Sequence, residues 1–319
     1  MEHRLLEIHD LVKYFPTNAG VVHAVDHVDL AVDAGKTLGV VGESGCGKST
    51  LGRCLLNLIR PTSGQVLFEG QDVLAKKADK KLLKQQMQII FQDPYSSLDP
   101  RKTVFNLIAE PLKINHLCSS KQEMEEKIYR IMETVGLAER LAGSYPHELD
   151  GGRRQRIGVA RALVMKPKFI VCDEPVSALD VSIQAQILNL MMDIQEELGV
   201  AYMFITHDLS VVRHISHSIA VMYLGEVVEQ APKKELFANP KHPYTQALLA
   251  AVPVADASRR NRERKLIQGE VTSPIDPKPG CRFYARCPYA EPKCQEPTEL
   301  RAVGDGHVVR CVRAEEIGS

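Results

Sequence analysis

An apolar run, Leu38-Gly39-Val40-Val41, breaks into Gly42-Glu43-Ser44-Gly45-Cys46-Gly47-Lys48-Ser49-Thr50, and an apolar helical pattern at Leu51, Leu55 and Leu58 follows. The spacing is G-x-x-x-x-G-K-S between a strand and a helix, the phosphate-loop or Walker A context. Glycines let backbone N–H groups converge on phosphate oxygens, and a helix N-terminus adds partial positive charge. Lys48 is placed to reach β- and γ-phosphates, and the Ser49 hydroxyl to hold Mg²⁺. An ordinary βα turn can carry the same glycines. The strand before and the helix after favour a nucleoside triphosphate, with Gly42 through Thr50 as its candidate binding loop.

A second stretch complements the first. In Phe169-Ile170-Val171-Cys172-Asp173-Glu174-Pro175 four apolar residues run into two carboxylates, a Walker B pattern. A buried strand would deliver Asp173 to the Mg²⁺ shell, where the cation offsets its charge. Glu174, one residue on, is placed to polarise an attacking water as general base. His207 ends another apolar strand, Phe204-Ile205-Thr206, at the sheet edge where open α/β folds gather ligand contacts. It is a candidate to hydrogen-bond the γ-phosphate or the water. Gln92 holds a similar strand-end position and is a candidate sensor of metal or water.

The chain has 319 residues, room for one large or two modest domains, and its 44% hydrophobic and 25% charged content is that of a globular protein. Lys+Arg and Asp+Glu both number 40, which gives no reason to expect a nucleic-acid partner. No apolar run approaches the ~18 residues of a spanning helix. Met1-Glu2-His3-Arg4 lacks a signal pattern, so a cytoplasmic chain is expected. Short β-type runs are expected at Leu5–Ile8, Val21–Val25, Val28–Val32, Gln65–Phe68, Met87–Gln92, Phe169–Cys172 and Ala201–Thr206. From about 100 to 165 the pattern is helical. Residues 121–135 form an amphipathic helix with Met124, Ile128, Ile131 and Val135 on its apolar face. A later helix carries Ile187, Leu190, Met191, Ile194 and Leu198, the methionine as core filler. Strands separated by helices imply a mostly parallel sheet. After about 230 prolines multiply and periodicity fades, which sets a boundary near 231.

Of eight cysteines, Cys281, Cys287, Cys294 and Cys311 crowd the C-terminal end with the spacing C-x5-C-x6-C-x16-C. A reducing compartment argues against disulfides and for a metal or cluster. The tight knuckles of structural zinc sites are absent. Four thiolates suffice for a [4Fe–4S] cluster, and zinc or plain free thiols stay open beside it. The role would be structural or regulatory, since no redox substrate site adjoins.

Walker A, Gln92, Leu149-Asp150-Gly151-Gly152-Arg153-Arg154-Gln155-Arg156, Walker B with Glu174, Ser177-Ala178-Leu179-Asp180 and His207 follow one another in a fixed order. That order resembles the ATP-binding cassette (ABC) transporter ATPases over about residues 5–230. Three stretches look most similar to the ATPase subunits of bacterial dipeptide/oligopeptide importers. They are Gln92-Asp93-Pro94-Tyr95-Ser96-Ser97-Leu98-Asp99-Pro100-Arg101, Asn239-Pro240-Lys241-His242-Pro243-Tyr244-Thr245-Gln246-Ala247-Leu248-Leu249, and the cysteine tail. The resemblance implies an α/β P-loop (RecA-like) core with a parallel sheet, an antiparallel β subdomain and a helical subdomain at about 95–165. That ATPase domain would span 1–230, and an importer-type C-terminal domain 231–319. It implies two cassettes stacked head to tail, with ATP and Mg²⁺ between one Walker A loop and the other subunit's signature loop, here Leu149 to Arg153. Phe15, with Tyr14 second, would stack on adenine, and Asp180 would lie at the dimer seam. The helical region after Gln92 would receive coupling helices of two transmembrane permease subunits. An extracytoplasmic binding protein would deliver substrate, and the ATPase would sit peripherally on the cytoplasmic face of the bacterial inner membrane. Similar tails suggest an iron–sulfur cluster.

One departure matters. The signature loop of this family is usually Leu-Ser-Gly-Gly-Gln, and here Asp150 and Arg153 replace its serine and glutamine. The family's serine donates a hydrogen bond to the γ-phosphate on the opposite subunit. An ionised aspartate has no proton to donate, and like charges about 4 Å apart cost on the order of 1–4 kcal/mol even when screened. Arg153 offsets part of this. The composite site using this signature loop is expected to be impaired, which predicts a heterodimer with a second ABC ATPase. A soluble cassette ATPase acting on DNA or ribosomes would carry coiled-coil insertions or two cassettes, and neither is seen. An exporter ATPase is opposed by the tail alone. Dipeptides, longer peptides, glutathione and nickel or other metal chelates all stay open as cargo.

Overall fold

The computed structural model describes residues 4–76, 78–93, 97–251, 269 and 272–317. In chain order the strands are β1 (Arg4–Thr17), β2 (Gly20–Asp33), β3 (Thr37–Val41), β4 (Ser63–Phe68), β5 (Gln71–Asp72), β6 (Met87–Ile90), β7 (Phe169–Asp173), β8 (Ala201–Thr206), β9 (Ser218–Tyr223), β10 (Glu226–Pro232), β11 (Arg301–Gly304) and β12 (His307–Val309). The α-helices are α1 (Lys48–Leu55), α2 (Lys80–Gln86), α3 (Val104–Ile114), α4 (Lys121–Thr134), α5 (Gly151–Leu163), α6 (Val181–Leu198), α7 (Leu209–Ile215), α8 (Lys233–Ala238), α9 (Pro243–Ala251) and α10 (Ala314–Ile317). The chain folds into two units, each assembled from separate segments. Of the stretch that begins at Gln92, Pro94 to Ser96 lie outside the described residues.

The first unit takes residues 1–6, 32–37 and 68–205. Here β6, β7 and β8 lie side by side and run parallel, with Asp173 at the end of β7 opposite Ile205. β7 and β8 are buried along their whole length, so both read as unbroken apolar runs rather than alternating ones. The helical region starts α3 and α4 with side-chain caps: Thr103 accepts from the Asn106 N–H at 3.4 Å and Ser120 from that of Glu123 at 3.1 Å. In α4 the buried residues are Ile128 and Met132, one turn apart, while Met124 and Ile131 flank them half-buried. In α6 the core takes Ile187, Leu188, Met191 and Ile194, not Leu190 and Leu198 as the spacing suggested. Gly199, at φ 66°, ends the helix there, so Leu198 is left 50% exposed. The buried Gln195 closes that end, accepting from the Thr37 hydroxyl at 3.2 Å and donating to the Val200 carbonyl at 2.9 Å.

The second unit takes residues 7–31, 38–67 and 206–319. Its strands stand in the order β11-β12-β10-β9-β3, with β3 parallel to β9 and the others antiparallel. A separate sheet holds β2, β1 and β4. The two runs expected at Val21–Val25 and Val28–Val32 are one strand, continuous through His27 at φ 49°. Asp10 in β1 is left-handed too, at φ 47°, its carboxylate 2.5 Å from the His27 ring and its N–H donating to Asp29 at 2.9 Å. Side-chain polar contacts thus hold two non-glycine residues in a region they rarely adopt.

The proline-rich texture after 230 begins inside β10. Gln230 pairs with Val308 of β12 on one side and Ala220 of β9 on the other. Next to it Glu229 is fully buried, accepting from the Lys241 N–H at 2.6 Å and the His242 N–H at 3.0 Å, with His307 Nε2 at 2.8 Å. Three partners keep a buried carboxylate tolerable. The surrounding core mixes Val41, Ile219 and Tyr223 with Leu236, Tyr244 and Phe283 of the C-terminal segment. Glu229→Ala removes the acceptor of two buried partners, His242 and His307, and should lower the unfolding free energy by about 3 kcal/mol in urea melts, with a smaller loss for Glu229→Gln.

Candidate active site

The phosphate loop belongs to the second unit. β3, buried at all five residues, delivers Gly42, and Gly47 caps α1 in the left-handed conformation at φ 104°. A methyl group on Gly47 would lie 1.8 Å from the Ala24 carbonyl oxygen, and one on Gly42 2.2 Å from that of Met222. Backbone meets backbone there, so only glycine fits. Lys48 is 4% exposed, and its Nζ donates to the Gly42 and Glu43 carbonyls at 2.8 and 2.9 Å. Ser44 and Gly45 form the exposed crest, and Ser49 and Thr50 lie half-buried in the first turn of α1. Cys46 is buried beneath them, which pushes its thiol up despite the nearby Lys48 ammonium.

The grip on this loop comes from residues that sequence reasoning did not connect to it. The Glu43 N–H donates to the Tyr244 hydroxyl at 2.9 Å, and Arg286 lays both Nη groups on the Glu43 carboxylate at 2.8 and 3.0 Å. Both partners stand in stretches singled out for other reasons, 201 and 243 residues away, so no local pattern could have linked them. Of the two aromatic candidates, Tyr14 stacks on His23 at 3.9 Å, and its hydroxyl donates to Asp26, which also ion-pairs with Arg282. Burial and the Asp26 bond raise its phenol pKa. Burial pushes the Asp26 carboxyl up, but the Tyr14 and His23 bonds and the Arg282 charge outweigh it and hold it low. Phe15 is half-buried, with Lys13 Nζ 4.7 Å from its ring centroid.

The first unit holds the carboxylates. Asp173 is 2% exposed at the end of β7. Glu174 follows in a left-handed backbone, φ 48°, its N–H donating to the Ile205 carbonyl at 2.9 Å. Gln92 Nε2 donates to Glu174 Oε2 at 3.1 Å, so these two candidates are in contact. A non-glycine residue at positive φ is costly and persists where neighbours impose it, often at functional sites. Asp150 caps α5: Oδ1 accepts from the Arg153 N–H at 2.8 Å, and Arg153 Nη1 stands 3.3 Å from Oδ2. Aspartate thus caps the helix as serine would, and Arg153 pairs its second oxygen. Leu149 is buried ahead of it, and a methyl on Gly152 would lie 2.8 Å from Ile183 Cγ2, so α5 and α6 meet closely at the glycines. Asp180, exposed, begins α6 with its carbonyl accepting from Gln184 at 2.8 Å. In the second unit His207 is exposed just before Asp208, which caps α7 through the Ser210 N–H at 2.8 Å.

Cys281, Cys287, Cys294 and Cys311 line one cavity together with His242 and Tyr289. Burial pushes the Cys281 thiol up to about 12, and raises Cys287 and Cys311 as well. Among the described residues no group of three or more His, Cys, Asp or Glu side chains is arranged to hold a metal ion. His242 is buried, its Nδ1 accepting from the Tyr244 N–H at 3.1 Å. Burial lowers its pKa from 6.5 to about 4, against the pull of Glu229. Below pH 6.5 the unfolded chain therefore binds this proton first. Stability should be full above that pH and decline towards pH 4, by up to about 3 kcal/mol, in urea midpoints taken along that range.

Comparison with known proteins extends these observations. Residues 25–177 match the ABC transporter family model, and residues 228–294 match that of the oligopeptide/dipeptide transporter C-terminal region. The oligopeptide transport ATP-binding protein AppF of Bacillus subtilis is 49% identical, over 96% of this chain and 96% of its own. The dipeptide transport ATP-binding protein DppF of Escherichia coli is 48% identical, over 99% and 96%. A dimeric ATP-binding cassette in a post-hydrolysis state bound to ADP and phosphate superposes with a TM-score of 0.64 at 27% identity, over 72% of this chain and 98% of that one. The fold is the α/β P-loop cassette that the motif order implied. Identity of this order along nearly the whole length places the chain in the ABC transporter family, among the ATP-binding subunits that carry the oligopeptide/dipeptide transporter C-terminal region.

Proposed function

We propose that this chain hydrolyses ATP to drive import of dipeptides or oligopeptides through separate membrane subunits. The observation that carries the reading is the full-length similarity to oligopeptide and dipeptide transport ATP-binding proteins, C-terminal region included. Gly42 to Thr50 take the phosphates, Lys48 leaving the loop carbonyls for the β- and γ-oxygens, and Phe15 stacks on adenine. Ser49, Asp173 and Gln92 are hard oxygen donors of the kind Mg²⁺ takes, and the bound ion would neutralise phosphate charge. Glu174, oriented by Gln92, polarises the attacking water. His207 hydrogen-bonds the γ-phosphate.

The second half of each site is the partner's signature loop, with Asp180 at the seam. Leu149 to Arg153 of this chain form one such loop. Asp150 puts a carboxyl group where the family has a serine hydroxyl, and its capping and Arg153 contacts hold it at the helix start. The productive assembly is a heterodimer in which the second ABC ATPase brings a serine.

Docking of two permease subunits is supported by a cleft in the first unit lined by Ile89, Phe91, Pro111, Gln155 and Arg161. Among the described residues no helix is long and apolar enough to cross a membrane, which suits peripheral attachment at the cytoplasmic face of the inner membrane. An extracytoplasmic binding protein selects the cargo. A [4Fe–4S] cluster would tie the tail together, but holding one would need the four C-terminal cysteines, which line one cavity, to draw in from the arrangement they have here. Iron and sulfide analysis of anaerobically purified chain tests that.

ATP turnover by the complete transporter tests the whole. Glu174→Gln should lower kcat by roughly 10²-fold or more, while Asp150→Ser should change it little. Brisk hydrolysis by this chain alone as a homodimer would remove the heterodimer reading. Turnover that persists in Glu174→Gln would remove the assignment of the base.

A further inference from the structure

The segment from Cys281 to Cys287 holds the phosphate loop through two arginines. Arg282 donates to the Leu224 carbonyl and to Asp26. The adjoining Gly225 N–H donates to the Cys46 carbonyl inside the loop at 2.9 Å, and the Asp26 N–H donates to the Gly225 carbonyl at 2.9 Å. Arg286 lies on the other side. Its fork meets both Glu43 oxygens at 2.8 and 3.0 Å, Nη1 also donates to the Tyr223 hydroxyl at 3.2 Å, and its side chain is only 7% exposed. A bidentate guanidinium fixes the direction of a carboxylate as well as its charge. The fully buried Tyr244 takes the N–H of the same glutamate. The remaining polar group of Glu43, its carbonyl, accepts from Lys48 at 2.9 Å.

We propose that Arg286 and Tyr244 are positioning residues for the nucleotide: by fixing Glu43 they set the loop path and the placement of Lys48, so the C-terminal extension governs affinity for ATP. The inference rests on the reading of this loop as the ATP site and adds a determinant that the loop's own sequence lacks. Neither residue touches phosphate, and both act through Glu43. The turn bearing Arg286 is closed by the Tyr284 N–H on the Cys281 carbonyl at 3.0 Å and the Cys287 N–H on the Tyr284 carbonyl at 3.3 Å. One turn therefore carries both the wall of the cysteine cavity and the grip on Glu43, and a change in that cavity is felt at the phosphates.

Calorimetric titration of the full chain with MgATP reads affinity and stoichiometry separately. Arg286→Ala should weaken binding roughly tenfold at unchanged stoichiometry, Glu43→Gln should do the same, and the double variant should be no weaker than the worse single one, as for partners in direct contact. Arg286→Lys should recover part of the loss, because a point charge cannot form the fork. Tyr244→Phe removes only the hydroxyl and should weaken binding severalfold, which keeps the test sound if Arg286→Ala folds poorly. Unchanged affinity in both Arg286→Ala and Tyr244→Phe overturns the proposal. Reduced stoichiometry at unchanged affinity overturns it too, since that marks a role in folding alone, and additive losses in the double variant overturn the route through Glu43. Failure of the unaltered chain to bind MgATP would instead overturn the reading of the site.

Discussion

Backbone pressed on backbone at Gly42 and Gly47 is the constraint from which the second unit follows. The Met222 carbonyl on β9 and the Ala24 carbonyl on β2 occupy the places where side chains would stand. A loop wedged between two strands inherits their positions, so whatever steadies β9, β2 and the turn at Leu224 and Gly225 steadies the loop. This is why an arginine on a carbonyl of that turn, far from any phosphate, belongs to the same mechanical problem as the glycines. Preorganisation here is a property of the sheet around the loop as much as of the loop.

Three glutamates show how environment divides labour among identical side chains. Glu229 is sealed in and shared among Lys241, His242 and His307, a structural anion. Glu43 is gripped by an arginine fork and oriented rather than freed. Glu174 takes the Gln92 amide at its Oε2 and stands on a left-handed backbone. The last of the three is the one proposed above as the general base.

The candidate site residues were legible because their spacing encodes geometry. A glycine loop between strand and helix, and an apolar strand ending in acids, have few other uses, whereas the role of Asp150 as a helix cap emerged only with the structure. What escaped was decided by packing beyond the local window. Helical spacing could not choose between Leu188 and Leu190, because the neighbours of α6 made that choice. It left Leu198 in the core pattern, although Gly199 ends the helix there. His27 and Asp10 concealed the continuity of their strands, since each looks like a break until the other is placed beside it. The hold of Tyr244 and Arg286 on Glu43 spans most of the chain, and no periodicity records such a pairing.

β10 carries one more consequence. Its Glu229 and Gln230 lie against Val309 and Val308 of β12, so the tail covers a strand whose hydrogen-bonding groups would otherwise stand open. Open strand edges recruit other chains. A cassette shortened to its motif-bearing portion would expose that flank beside an orphaned acid and tend to self-associate. The tail is therefore a selvedge, woven into the sheet it finishes, and in evolution it could be gained or lost only together with a new way of closing that edge.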